Sequence, residues 1–254
     1  MDVRATTDDE VAFFQANGWV RLARLVDRAT VADLRERALA RLSERSRVRA
    51  TLVDRAFGQS RDIAREDERF GELTGRLAPV AVRLLAGVAA VRMQVTNLLV
   101  KEASHEGEHG ATPFHQDFPW MPMDRSAMLT VWLALADVPA DMGALRFYSG
   151  SHRHGLLGRS FTAAGDDQLT QHPWLKELEL SPPLDLEAGD ATVHHSLTVH
   201  GAPANRHESP RLSFTVTYFD ADTLYTGMPY GQTDGLGLEV NKPFDHPRFP
   251  CLGQ

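Results

Sequence analysis

The sequence predicts a mainly β fold with flanking helices, its core an antiparallel double sheet of the jelly-roll, cupin-like kind. Three observations predict it. Apolar residues recur at helical spacing through the first third of the chain. From about residue 91 the chain turns into short segments rich in β-branched and aromatic residues. Those segments are separated by Gly, Pro, Asp and Asn, the residues that make turns. Helices followed by runs of strands pack with the helices outside a layered sheet. With 254 residues, 43% of them apolar, the chain can bury one large core. We expect a single domain over 1–254, with a helix-rich part at about 1–87, a jelly-roll core at about 88–222 and a tail at about 223–254.

The elements follow in order. Thr7-x-x-Glu10 is a capping-box pattern that starts a helix, with Val11 and Phe14 on the buried stripe and Gly18 as the stop. "GWVRL" reads as a short strand. Asp27 caps a second helix whose Val31, Leu34, Ala38 and Leu42 share one face. Residues 43–70 are dense in charge and are expected as a mobile, solvated surface segment. "LAPVAVRLLAGVA" reads as another helix, started by Pro79. The strands are then "VRMQVTNLLVK", "AMLTVWLALADV", "ALRFYSGS", "DATVHHS" and "RLSFTVTYFDAD". The stretch from about 155 to 185 lacks periodicity and is expected as a loop over one end of the sheets.

Composition excludes several classes. A net charge of −7 argues against nucleic acid as a partner, since phosphate contacts need a basic face. No apolar run approaches the length of a membrane span, and the acidic N-terminus has no apolar leader, so no membrane partner is expected. Cys251 is the only cysteine, which rules out an intrachain disulfide or a cysteine-based zinc site and suits a reducing cytoplasm. "CLGQ" resembles a prenylation box only superficially, because Gly253 is not aliphatic and no polybasic stretch precedes it. Oligomeric state is not legible.

The chemistry centres on "PFHQDFPW". Random placement of 11 histidines and 20 aspartates would yield about one His-x-Asp pair, so His115 and Asp117 carry weight only through their surroundings. On a strand they would project together, with Gln116 turned away. A second histidine would complete a 2-His-1-carboxylate triad, which grips one face of an octahedral ion and leaves three positions open. His194, His195 and His200 are the candidates. Arg211 begins the next strand and sits beside the metal if 200 and 211 flank a hairpin connection. Arg211, Ser213, Thr215 and Thr217 then form a polar stripe suited to a wet cavity. A guanidinium offers a carboxylate a fork of donors. Phe118 and Trp120 are core residues or pack against substrate. Arg146 faces cavity or solvent and is a candidate contact for an anionic substrate. His105, His109, His152 and His154 lie in loop-like stretches and suit surface roles.

The order of motifs resembles the phytanoyl-CoA dioxygenase-like family of iron(II)/2-oxoglutarate oxygenases. The resemblance runs through "FFQANGWVRLARLVDRATVADLRERAL", "FHQD", "VWLALADVPADMGALRFYSGSHRHG" and "GDATVHHSLTVHGAPANRHESPR", about residues 11–220. It implies a double-stranded β-helix and makes His115, Asp117 and His200 the ligands of Fe(II). It places Arg211 on the distal carboxylate of 2-oxoglutarate, with Asn97, Lys101 and Thr130 as further cosubstrate contacts. It also implies O2 as oxidant, succinate and CO2 as products, and hydroxylation of a C–H bond; the aromatic cluster after the motif and the absence of a basic run point to a small, largely apolar substrate such as a secondary-metabolite intermediate. Ala202 stands where the family often has Ser, and "YSGSH" where Ile-Pro-Gly-Ser-His is commoner; neither touches the triad. The carboxylate of Asp117 favours oxidation at carbon over halogenation. Alternatives are desaturation, cyclisation or epoxidation at the same site, a cupin-like metalloenzyme that does not use 2-oxoglutarate, and a non-catalytic jelly-roll binding protein.

Overall fold

The structure is a computed structural model that describes residues 1–48, 57–103, 110–159 and 167–253. Its helices are α1 (Asp8–Asn17), α2 (Arg28–Val48), α3 (Ile63–Glu66), α4 (Glu68–Leu85) and α5 (Gln168–Gln171). Its strands are β1 (Trp19–Leu22), β2 (Phe57–Arg61), β3 (Val91–Lys101), β4 (Thr112–His115), β5 (Met128–Ala134), β6 (Arg146–Phe147), β7 (Ala191–His195), β8 (His200–Ala202), β9 (Arg211–Asp220) and β10 (Cys251–Leu252). Seven strands make one antiparallel sheet in the order β1-β7-β5-β9-β3-β10, with β2 also paired to β3. A second sheet has the order β4-β8-β6. The fold is a mainly β, cupin-like jelly roll.

Period-2 alternation divides the large sheet into two chemistries. Leu212, Phe214, Val216 and Tyr218 of β9 join Leu129, Val131 and Leu133 of β5 in the main core. Phe70, Leu73, Leu77 and Leu84 of α4 cover that outer face, Phe70 lying 5.1 Å from Phe214 ring to ring. The intervening residues Arg211, Thr215, Thr217, Thr130 and Trp132 turn the other way and line a cavity.

The helix starts follow the caps. Thr7 and Glu10 close the capping box, and Gly18 ends α1 at φ 76°, a conformation that favours glycine. Asp27 Oδ1 accepts from Thr30 N at 2.8 Å and starts α2. Pro79 does not start a helix: it lies inside α4, which begins eleven residues earlier, where Asp67 accepts from Arg69 N and Phe70 N. The charged stretch 43–70 is also corrected in its described part. It contains the end of α2, β2, α3 and the first turn of α4, where Phe70 is fully buried. Residues 49–56 and the histidines His105 and His109 lie outside the described residues. The described part of 155–185 is largely irregular but docked, with Leu175 buried beside Tyr148, Leu157 and Val199. Among the described residues no helix is long and apolar enough to cross a membrane.

Candidate metal centre

The small sheet brings the ligand candidates together. β4 and β8 pair with His115 directly opposite His200. Two sequence expectations change here. β4 ends at His115, and Asp117 sits in the helical region at φ −77°, ψ −37°, at the start of a 3-10 turn over Phe118–Trp120. A turn, not a shared strand face, aims its carboxylate at the imidazoles. Likewise His200 opens β8, and Arg211 opens β9 in the other sheet. The connection between them crosses from one sheet to the other, not a hairpin, and so faces ligand and guanidinium across the cavity.

Backbone contacts fix the turn. Asp117 N and Phe118 N both donate to Ser196 O, at 3.0 and 3.1 Å. Gln116 does turn away, into the protein: Nε2 donates to Leu197 O at 2.8 Å and Gly155 O at 2.9 Å, and Oε1 accepts from Leu157 N at 2.9 Å. The bond to Leu197 O ties the strand of His115 to the segment that leads into His200, and the other two tie it to the segment at Gly155–Leu157.

The imidazoles are set by carbonyls. His115 Nδ1 is 2.8 Å from Pro113 O, and His200 Nδ1 is 2.9 Å from Thr198 O. A carbonyl only accepts, so each Nδ1 carries a proton, and in the neutral ring each Nε2 then presents a lone pair. These Nε2 atoms lie 3.5 and 3.8 Å from Asp117 Oδ1. Candidate ligand atoms of all three residues lie within 4.8 Å of one another. Three acceptors converging without a proton between them repel unless a cation sits among them. Two neutral nitrogens and one carboxylate oxygen suit a divalent ion such as Fe(II).

Electrostatics agree with that donor set. Burial, helped by His194 and His115, holds His200 well below the usual imidazole range and therefore neutral. Burial pushes the Asp117 carboxyl up, but the surrounding imidazoles outweigh it and keep the group ionised. His194, raised above as a possible ligand, donates no part to the triad. Its Nε2 lies 3.3 Å from Asp117 Oδ2, the other oxygen, and its ring packs 4.1 Å from that of His200. His195 turns to the other face, 5.8 Å from the ring of His152, and burial lowers its pKa to about 4.

A cavity of 680 Å³ adjoins the triad. Arg211 reaches it from β9, with Nη1 donating to Gly143 O, its guanidinium 5.1 Å from the Trp132 ring, and Nε buried with no partner. Burial alone pulls its pKa to about 10, with no carboxylate of the described residues compensating. Thr130 Oγ1 lies 3.3 Å from Asp117 Oδ2 and 2.9 Å from Thr217 Oγ1. Asn97 lines the cavity and donates to Thr215 Oγ1 at 3.2 Å. Trp120 lines it too, under the guanidinium of Arg159 at 4.7 Å.

Three expected residues stand outside that lining. Lys101 is fully buried and donates to Pro203 O at 2.9 Å; desolvation, then the charge of Arg211, brings its pKa to about 7. Phe118 packs into a core cluster with Met123, Phe219 and Tyr225. Arg146 donates to Ser181 O at 2.7 Å. Conversely, Gln59 and Arg61 of β2, Gln94 of β3, and Tyr230 and Gln232 of the tail line the cavity, and sequence reading did not find them. "FGQSR" has no apolar alternation to mark it as a strand, and the tail has no periodicity.

Comparison with known proteins decides the family. The phytanoyl-CoA dioxygenase (PhyH) profile matches residues 14–213. The chain belongs to the phytanoyl-CoA dioxygenase family. It is similar to phytanoyl-CoA dioxygenase 1 of Oryza sativa subsp. japonica, with 23% identity over 79% of this chain and 86% of that protein. A probable phytanoyl-CoA dioxygenase of Caenorhabditis elegans is 27% identical over 43% of this chain, and the match spans only 36% of the nematode protein. Among solved structures, the non-haem α-ketoglutarate-dependent carbocyclase SnoK from nogalamycin biosynthesis superposes with a TM-score of 0.79 at 26% identity, covering 97% of this chain and 96% of that one. The epimerase SnoN, solved with Fe3+, α-ketoglutarate and nogalamycin RO, superposes at 0.77 and 26% identity over 96% and 97%. EctD from S. alaskensis, at 19% identity and 0.72, shares the fold over 98% of this chain and 89% of that one.

Proposed function

We propose that this family member is an iron(II)- and 2-oxoglutarate-dependent oxygenase that oxidises a C–H bond of a small molecule. The observation that carries the reading is the convergence of the His115 and His200 Nε2 atoms on the Asp117 carboxylate, with an incompletely partnered buried guanidinium across the same cavity. His115, Asp117 and His200 hold the metal, and the carbonyls of Pro113 and Thr198 keep their imidazoles in the ligating tautomer. Arg211 pairs with the distal carboxylate of 2-oxoglutarate, which supplies the counter-charge its desolvation demands. Thr130 and Thr217 orient Asp117, and Trp120 and Trp132 keep the cavity walls apolar. When bound, iron, 2-oxoglutarate and dioxygen supply the oxidising chemistry, with succinate and CO2 released.

Hydroxylation is the simplest outcome. A second outcome at the same site, cyclisation or epimerisation, is favoured by the full-length similarity to SnoK and SnoN, and the same pair supports a secondary-metabolite substrate. Product analysis separates the two outcomes. The class is tested by adding iron(II) and 2-oxoglutarate without oxygen, which should produce a weak visible charge-transfer band, and by succinate release once oxygen is admitted. Arg211→Ala should raise the 2-oxoglutarate requirement about 100-fold, the size of a lost bidentate charged contact. A cupin-like metalloenzyme independent of 2-oxoglutarate gives no band and is insensitive to that substitution, and a binding protein gives no succinate.

A further inference from the structure

The charges of the cavity do not balance at its mouth. Among the described residues Asp117 is the only acidic residue of the lining, and Arg61 and Arg211 are its only cations. In the proposed function a divalent iron, the Asp117 carboxylate, Arg211 and a doubly charged 2-oxoglutarate sum to zero. Arg61 is then left over, in a protein whose own net charge is −7. Its side chain has no hydrogen-bond or ion-pair partner among the described residues. The adjacent Asp62 is already shared by Arg248 at 3.1 Å and Arg65 at 3.8 Å.

The groups around Arg61 are built and partly unsatisfied. β2 pairs with β3 so that Arg61 stands opposite Asn97. Gln59 Nε2 donates to Asn97 Oδ1 at 2.8 Å, which fixes the strand that carries Arg61. Gln94 Nε2 donates to the Tyr230 hydroxyl at 3.0 Å, leaving that hydroxyl proton free to be given. Burial raises the Tyr230 pKa, Gln94 and Arg61 act against the rise, and Asp117 adds to it, so this phenol stands within electrostatic reach of both the metal ligand and Arg61. Gln232 Oε1 is buried with no partner. Val95, Leu99, Met121, Met128 and Leu145 add apolar surface to the same lining.

We infer that Arg61 recognises an anionic oxygen group on the substrate, with Tyr230 donating to that group and Gln232 accepting from a neighbouring hydroxyl. The substrate class is therefore an organic acid with an apolar, ring-sized body carrying a hydroxyl. The inference rests on the oxygenase reading above and deepens it. A cavity of this volume is in the range of ordinary ligand pockets, and an acid group at its mouth orients the apolar body towards the triad.

The test uses 3-hydroxy-2-naphthoate and its neutral twin, 3-hydroxy-2-naphthamide, titrated calorimetrically into the anaerobic enzyme with iron(II) and saturating 2-oxoglutarate. Saturation keeps the acid away from Arg211, and the charge-transfer band reports it. The wild-type protein should bind the acid about tenfold tighter than the amide, the size of one charged contact. Arg61→Gln should erase that preference and Arg61→Lys should restore part of it. Added salt should weaken the acid and spare the amide in the wild-type protein, a result that needs no variant. A wild-type protein without preference, or a preference that survives Arg61→Gln, overturns the inference. If no band forms, it is the metal-centre reading that fails, and the preference is then measured in an Arg211→Ala background, where Arg61 is the remaining cation of the lining.

Discussion

The two sheets of this jelly roll do different work. Every residue of β5 and β9 in the large sheet is buried, and its outer face closes under α4. The small sheet has strands of four, two and three residues, and the β4–β8 ladder is irregular between Thr112 and His115. Yet the small sheet and its adjoining turn hold all three ligand candidates, while the large sheet supplies Arg211, Thr130 and Thr217. The difference teaches where precision comes from. In the large sheet it comes from burial and continuous ladders. In the small one it comes from a few polar bonds: two imidazole–carbonyl contacts, the three bonds of Gln116 and the paired donations to Ser196 O. Stability and metal affinity should therefore respond to different substitutions.

His200→Ala should have the largest effect on chemistry. It removes one of two imidazole ligands, so iron content after reconstitution should fall to background and succinate formation with it, while the melting temperature of the metal-free protein stays near the wild-type value. Phe214→Ala is the converse. It empties a fully buried site against Phe70 and should cost about 3–5 kcal/mol in urea unfolding, while the protein that remains folded still takes up iron. If His200→Ala unfolds the metal-free protein, or Phe214→Ala abolishes iron uptake at temperatures where it is folded, the division of labour between the sheets is wrong.

The same contrast explains what was legible in the sequence. The large sheet was readable because period-2 alternation in "RLSFTVTYFD" separates an apolar outer face from a polar inner one. Arg211, Thr215 and Thr217 could be placed on one face from that rule alone. The His115–Asp117 pairing was read as two strand residues on one face, but Asp117 reaches the site through a helical turn held by Ser196 O, a contact to a segment some 80 positions away that no local pattern encodes. Lys101 and Asn97 share a parity on β3. Asn97 meets the cavity, whereas Lys101 ends on Pro203 O, because that strand runs past the end of the cavity. β2 and the tail escaped because residues that line a cavity singly, such as Arg61 and Tyr230, leave no periodic trace.

Lys101 gives a smaller, pH-dependent effect on the large-sheet side. Its pKa falls from 10.5 to about 7 in the folded protein because desolvation and then Arg211 disfavour its charge. Below about pH 7 the group is protonated in both states, and the folded state carries the full penalty. Between 7 and 10.5 the unfolded chain binds more protons than the folded one, so stability rises with pH across that window. Lys101→Met removes the ionisation. It should be more stable than the wild-type protein near pH 6, and the gap should shrink steadily as the pH approaches 10. Urea midpoints measured from pH 6 to 10 check this, and a gap independent of pH would mean that the ammonium is solvated in the folded protein.

Thr130→Val should have the smallest effect, and it probes the seam where the two sheets meet. The hydroxyl of Thr130 stands between Thr217 and the Asp117 oxygen that faces away from the His115 and His200 nitrogens. Thr217 can donate to Thr130, which in turn donates to Asp117, so the large sheet holds one oxygen of the carboxylate and leaves the other for the metal. Valine keeps the shape and deletes the relay. Iron affinity, measured against a competing chelator, should fall about tenfold, as for other groups that orient a ligand, and Thr130→Ser should recover it. Fold stability should change little, because Thr217 can turn its hydroxyl elsewhere in a polar cavity. Unchanged iron affinity in Thr130→Val would mean that the backbone bonds to Ser196 O orient Asp117 unaided, and that the small sheet builds the metal centre without the large one.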